Sequence, residues 1–74
     1  MPSLDIPAPM AGSILQVLVA AGDQVSKDQE LLIIESMKME IPLESPVAGT
    51  VQELLVESGQ RIDEGPPLIR LNTT

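Results

Sequence analysis

Residues 31 to 43 read Leu-Leu-Ile-Ile-Glu-Ser-Met-Lys-Met-Glu-Ile-Pro-Leu. Two apolar runs, residues 31–34 and 41–43, enclose a short segment that is mostly polar and contains Lys38. An apolar strand, a short reversal and a second apolar strand are typical of a β-hairpin, so the pattern predicts a hairpin with Lys38 at its tip. The reversal lacks the Asn-Gly or Asp-Gly pair of the tightest hairpins, so its local chemistry does not define the turn type.

The sequence on either side of this hairpin repeats itself. Pro9-Met10-Ala11-Gly12 recurs as Pro46-Val47-Ala48-Gly49, and residues 18–22 recur as residues 55–59. One constant offset of 37 residues aligns 8–34 with 45–71 without a gap. At this offset, glycines that we expect in turns align with glycines, and aliphatic residues that we expect in the core align with aliphatic residues. Polar positions differ between the two copies. The chain therefore contains two copies of one supersecondary unit, within a single domain over residues 1–74.

Short apolar stretches separated by frequent turn signals predict an all-β fold. We expect an edge strand over residues 1–6 that Pro7 ends, and a strand over residues 13–19. The window from Gln52 to Glu57 also fits a helix, but its partner in the first copy is strand-like and one fold must serve both copies. Two equal halves predict two antiparallel sheets packed face to face about a pseudo-twofold axis. The lysine hairpin would lie at one end and both termini at the other.

The composition limits the chemistry available to the chain. Its 74 residues include no Phe, Tyr, Trp, Cys or His, so a modest aliphatic core must form without disulfides or a Cys/His metal site. The lack of imidazole and thiol argues against an autonomous enzyme. A formal charge of −7 argues against binding to nucleic acid or anionic membranes. The start of the chain carries no signal-peptide pattern, so we expect a cytoplasmic protein.

The hexapeptide Glu35-Ser36-Met37-Lys38-Met39-Glu40 resembles the attachment motif of biotinyl domains, the biotin carboxyl carrier modules of biotin-dependent carboxylases. In lipoyl domains, the related class, the modified lysine usually follows an aspartate. The resemblance implies that Lys38 carries biotin through a covalent amide, with Met37 and Met39 as recognition neighbours. Glu35 and Glu40 would meet basic residues of a partner, or would be ordinary charges at strand ends.

The resemblance covers nearly the whole chain and implies more than the attachment site. It implies a flattened β-barrel, or barrel-sandwich hybrid, of two four-stranded antiparallel sheets. A biotin protein ligase would modify Lys38, giving a swinging arm of about a dozen bonds of ~1.5 Å each. The arm would carry carboxybiotin between the biotin carboxylase and carboxyltransferase sites of a carboxylase, most similar to acetyl-CoA carboxylase. The short segment between Val19 and Val25 leaves no room for the thumb of some such carriers.

Two other functions fit parts of this pattern. A lipoyl carrier of an oxo-acid dehydrogenase or glycine-cleavage type system would share the fold, with lipoate in place of biotin on the lysine. An unmodified structural module, as in adaptor proteins of efflux systems, would also share the fold but is expected to have long flanking helices. The Met-Lys-Met order favours the biotin carrier over both alternatives.

Overall fold

The chain folds into two four-stranded antiparallel sheets. The computed structural model describes residues 2–73, and this part of the chain contains no helix, so no helix capable of crossing a membrane occurs in it. The sheets have the strand orders β1-β8-β6-β3 and β5-β4-β2-β7, and they pack as two open layers, so the all-β sandwich prediction is confirmed. The strands are β1 (Ser3–Pro7), β2 (Gly12–Val17), β3 (Gln24–Val25), β4 (Glu30–Ser36), β5 (Met39–Glu44), β6 (Gly49–Leu54), β7 (Arg61–Ile62) and β8 (Pro67–Asn72).

The two sheets have equivalent architectures. Both β2 and β3 recur as β6 and β7 with bounds displaced by 37 residues, and each strand order converts into the other under this exchange. A β-bulge between Ile14 and Gln16 has its counterpart between Val51 and Glu53. Strands β1 and β5 also occupy equivalent edges, although they lie outside the residues that the sequence repeat aligns. The fold therefore has the expected pseudo-twofold symmetry.

The core between the sheets consists of aliphatic side chains. Three residues of β4 (Leu31, Leu32 and Ile34) are fully buried, and so are their three equivalents in β8, within 1% exposure. Because equivalent positions of the two central strands supply six of the thirteen buried apolar residues, each half of the chain buries the apolar face of the other. The remaining buried apolar residues are Ile6, Ala8, Ile14, Val19, Val25, Val51 and Ile62.

Three local expectations need correction. Strand β1 includes Pro7, while Met1 lies outside the described residues, and strand β2 ends at Val17 two residues earlier than predicted. The segment from Gln52 to Glu57, which also fitted a helix, belongs to strand β6 as far as Leu54, so the strand favoured by the repeat is confirmed. We expected Gly12 and Gly49 to be turn glycines, and this was wrong.

Gly12 and Gly49 begin strands, and their role is to allow two backbones to approach closely. A Cβ added at Gly12 would lie 2.5 Å from the carbonyl oxygen of Glu35, and one at Gly49 would lie 2.5 Å from that of Asn72. Such distances are inside van der Waals contact, so only glycine fits. Gly22 and Gly59, in contrast, do sit in turns with φ of 95° and 88°.

The hairpin and the chain ends lie at opposite ends of the molecule. At one end, Ser3 pairs with Asn72 and the amide of Thr73 donates to the carbonyl of Pro2 at 3.1 Å. Strand β1 leads away from this end, and only residues 8–11 connect it to Gly12 beside the hairpin. The sandwich is elongated, with principal extents of 36 × 19 × 17 Å. The hairpin is therefore free of the chain ends.

An ion-pair network crosses the outer face of the sheet that lacks the hairpin. Arg70 in β8 donates from Nε to Asp5 in β1 at 2.8 Å and from Nη1 to Glu53 in β6 at 3.3 Å. The hydrogen bond from Arg70 lowers the pKa of the Asp5 carboxyl below its usual 3.8. The network joins three neighbouring strands on an exposed face, where each pair contributes modestly.

Replacing Asp5 should reduce stability in a pH-dependent manner. Because the folded state lowers the pKa of Asp5, its contribution is present above the ordinary pKa of 3.8 and is lost as the pH falls through the lowered value. We expect Asp5→Asn to unfold at lower urea concentration than the parent at neutral pH, with the difference vanishing in strong acid. Asp63→Asn is the control, because no ion pair is found for Asp63 within residues 2–73. A pH-independent difference would contradict this assignment.

Candidate functional site

The tip of the β4–β5 hairpin is a two-residue turn made by Met37 and Lys38. Ser36 pairs with Met39 across the hairpin, so only these two residues form the reversal. Both have positive φ, 53° for Met37 and 64° for Lys38. A two-residue loop with both central residues in the left-handed region is the type I′ turn, which normally uses Asn-Gly. The predicted hairpin with Lys38 at its tip is present, in a turn whose sequence is unfavourable for it.

This backbone has an energetic cost that suggests a role for the tip. A non-glycine residue in the left-handed region costs on the order of 1–2 kcal/mol, and two such residues follow each other here. Strain of this kind persists where the surrounding structure imposes it, and it is concentrated at functional positions. The pairing of Glu35 with Glu40 and of Ile34 with Ile41 continues the ladder directly below the turn and holds it in place.

The side chains at the tip project into solvent. Met37 is 91% exposed and Met39 is 63% exposed, the two largest values among the large apolar residues described. Lys38 lies between them and is also exposed. Its amine makes no salt bridge with a described residue. Flexible thioether side chains give adaptable apolar contacts, so the tip can be bound by surfaces of different shape.

Two carboxylates stand at the base of the tip. Glu35 and Glu40 are directly opposite each other in the β4–β5 pair, and both are exposed. Like charges at directly opposed positions are destabilising. The equivalent positions in the other sheet are Asn72 and Ser3, which are neutral. A second opposed pair, Glu30 and Glu44, lies at the other end of the same two strands, so opposed carboxylates occur at both ends of the β4–β5 pair.

A shallow depression of about 340 Å³ lies beside the hairpin, and we refer to it as the hairpin-end depression. Strand β2 contributes Gly12 and Ser13 to its lining, and Gly12 lies against the backbone of β4. Ser13 pairs with Glu35 on one side and with Arg61 of edge strand β7 on the other. Its lining residues are Ala11, Gly12, Ser13, Glu35, Ser36, Met37, Lys38 and Arg61.

All five candidate residues of the tip belong to one hexapeptide, and they lie together at one end of the domain. We did not predict Gly12, Ser13 and Arg61 as site residues, because they come from strands β2 and β7. A signal for Arg61 was present in the repeat, where the first copy has Gln24 at the equivalent position. The expected absence of a thumb also agrees with the structure, since residues 18–23 alone connect β2 with β3.

The reactive group at the hairpin end of the domain is the exposed primary amine of Lys38. Within residues 2–73 no group of three or more carboxylates is arranged to hold a metal ion. The fold and the tip together define a class of small two-sheet domain that presents one lysine on a rigid hairpin.

Comparison with known proteins identifies this class. The biotin/lipoyl family model, described as "Biotin-requiring enzyme", matches residues 4–71, and the chain belongs to this family. A 35-residue segment is 63% identical to the biotin carboxyl carrier protein of Streptococcus mutans serotype c, covering 47% of this chain and 27% of that protein. A 34-residue segment is 62% identical to the biotin/lipoyl attachment protein of Bacillus subtilis, covering 46% of this chain and 47% of that protein.

A solved structure extends the similarity to almost the whole fold. A single-chain, multi-domain long-chain acyl-CoA carboxylase superposes on 97% of this chain with a TM-score of 0.91 and 29% identity, over 7% of its own length. The matched segments of the two curated relatives also cover less than half of each protein. The resemblance to the biotinyl family stated from the sequence is confirmed.

Relieving the backbone strain at the tip should stabilise the domain. We expect Met37→Asn to raise the free energy of unfolding by roughly 1 kcal/mol, because asparagine tolerates the left-handed region. Met39→Asn is the matched control, since Met39 lies in β5 outside the turn. Urea unfolding of both variants checks the prediction. Equal effects of the two substitutions would show that the turn is not strained.

The two close-approach glycines provide a paired test of the hairpin base. We expect Gly12→Ala and Gly49→Ala each to lower the free energy of unfolding by about 1–3 kcal/mol, because each added methyl group overpacks a strand contact. Only Gly12→Ala should also accelerate hydrogen exchange at amides of the hairpin, since its clash is with Glu35. Identical exchange profiles in the two variants would contradict the role given to Gly12.

Proposed function

We propose that this chain is a biotin carrier module in which the Nζ atom of Lys38 is joined to biotin through an amide. The observation that carries the proposal is the exposed Met-Lys-Met tip on a strained two-residue turn. A turn with only a structural role would gain stability from Asn-Gly, so keeping Met37 and Lys38 there indicates selection for their side chains. The names of the two curated relatives support the same function.

The residues of the tip fit an attached biotin. Lys38 is exposed at the tip of the hairpin, so the enzyme that attaches biotin can reach it without unfolding the domain. Attachment forms the C–N bond of the amide at Nζ, breaks the bond from the biotin carboxyl carbon to adenylate, and releases a proton from the amine. We assign this step to a biotin protein ligase, because the chain itself has no imidazole or thiol to support it.

Bound biotin supplies a ring nitrogen that accepts and returns a carboxyl group, and the chain's own residues position it. The rigid β4–β5 ladder fixes the start of the arm, and the flexible lysine side chain lets its end move. Tethering keeps the group at high effective concentration near two separate enzyme sites. The partners we propose are the biotin carboxylase and carboxyltransferase of an acyl-CoA carboxylase, of the acetyl-CoA carboxylase type.

Met37 and Met39 form the contact surface for these partners in this proposal, and Glu35 and Glu40 surround it with negative charge. A partner cleft with basic walls would then be attracted over a distance of about one Debye length. The chain performs no bond chemistry on the acceptor substrate and acts as a non-catalytic carrier.

One alternative has a specific observation in its favour. The Bacillus subtilis relative is named as a biotin/lipoyl attachment protein, so lipoate on Lys38 is the second candidate. The residue before Lys38 is Met37, whereas lipoyl domains usually have an aspartate there, and this favours biotin. The masses of the two modifications differ, so mass spectrometry separates the two candidates.

Removing the amine should abolish the carrier function without unfolding the domain. We expect Lys38→Arg to keep the charge and fold but to support no transfer of labelled bicarbonate to an acyl-CoA in an assay reconstituted with the two partner activities. Lys27→Arg is the matched control, because Lys27 is the only other lysine. It should retain full transfer. Transfer by the Lys38→Arg variant above the level without carrier would contradict the proposal.

A further inference from the structure

The pseudo-twofold symmetry produces two similar depressions at the two ends of the domain. The hairpin-end depression has a volume of about 340 Å³, and the one at the other end has a volume of about 310 Å³. The second is lined by Gln24, Val25, Ala48, Gly49 and Thr50. Because the symmetry of the fold generates both depressions, the residues that differ between them are the side chains particular to the hairpin end.

Among the positions that line both depressions, the main difference in side-chain chemistry is Arg61 at the hairpin end, where the other copy has Gln24. Arg70, the second arginine, is paired with Asp5 and Glu53. Arg61 makes no salt bridge within residues 2–73, although the chain contains 11 acidic residues. Arg61 is exposed at the edge of the depression, and an arginine without a carboxylate partner retains its hydrogen-bond donors for a ligand.

The depression presents complementary groups in a fixed order. Glu35, Ser13 and Arg61 occupy directly neighbouring positions on three adjacent strands of one face. Strands are spaced by about 4.8 Å, so the first and third positions are roughly 10 Å apart. A carboxylate acceptor and a guanidinium donor thus flank a hydroxyl group. A small ring with N–H groups and a carbonyl oxygen matches this row of an acceptor, a hydroxyl and a donor.

The arm on Lys38 is long enough to reach this row. Lys38 is three residues beyond Glu35 and lies in the turn after Ser36, so the two residues are at most about 10 Å apart. A lysine side chain extended by the biotin acyl chain has about a dozen bonds of ~1.5 Å, and so spans this distance when it folds back. Lys38 itself lines the depression, so the arm starts at its rim.

We propose that the hairpin-end depression is a resting site for the ureido ring of the biotin on Lys38. Arg61 donates to the ring carbonyl oxygen, Glu35 accepts from a ring N–H, and Ser13 forms the floor between them. This inference rests on the proposed carrier function and deepens it. Such a site gives a carrier without a thumb a way to hold its group against the domain between visits to partner enzymes.

The experiment compares the ¹⁵N-labelled chain with and without biotin on Lys38, after intact mass has established the modification. We expect the amide shifts of Gly12, Ser13 and Arg61 to change several-fold more than those of Gly49, Thr50 and Gln24. The second set contains the pseudo-symmetric equivalents of the first and serves as the internal reference. We expect Arg61→Gln, which restores the residue of the other copy, to remove most of the difference at Gly12 and Ser13.

Lys27→Gln is the matched control, because it removes one positive charge outside the depression and should leave the shift differences intact. The biotinylated Arg61→Gln variant should also be captured faster by avidin than the biotinylated parent. Equal shift changes at both ends, or changes that persist in Arg61→Gln, would overturn the resting site while the carrier function stood. A Lys38 that takes up no biotin would overturn the carrier function and the resting site together.

Discussion

The packing of aliphatic side chains between the two sheets is the interaction on which the rest of the structure depends. With no aromatic residue and no cysteine in the chain, burial of Leu, Ile and Val is the main source of stability. Leu32 and Ile34 of β4 and their equivalents in β8 are almost completely buried. This core ends at Ile34, and the hairpin extends beyond it from a fixed base. A core of two equivalent halves gives a small domain both stability and an end from which a lysine can project.

The backbone of the hairpin tip is locally unfavourable, and the stability of the core offsets this cost. Met37 and Lys38 occupy a turn whose backbone favours asparagine and glycine, and Glu35 faces Glu40 below it. Both features oppose folding locally, and both are absent from the equivalent end of the other sheet, where Asn72 lies beside Ser3. Arg61 in place of Gln24 is a further departure from the symmetry of the fold at this end of the domain.

Most of the fold was predictable because the same pattern of turn glycines and strands occurs in both copies of the repeat. Gly59 supports Gly22 as a turn residue, and the strand character of residues 13–19 resolved the helix–strand ambiguity at Gln52. The bulges at the equivalent positions Leu15 and Gln52 were not predictable, since they depend on pairing with β4 and β8. Gly12 was misassigned because a close approach between strands has the same sequence signal as a turn. Ser13 and Arg61 were missed because strand pairing across distant parts of the chain brings them to the tip.

The fold presents Lys38 on the hairpin tip, and we expect Lys38, not Lys27, to be the modified residue. The most direct measurement is the intact mass of the chain after co-expression with a biotin protein ligase and excess biotin, followed by peptide mapping. We expect a single biotinyl increment, located on the peptide that contains Lys38. A folded chain that remains unmodified, or one modified on Lys27, would contradict this expectation.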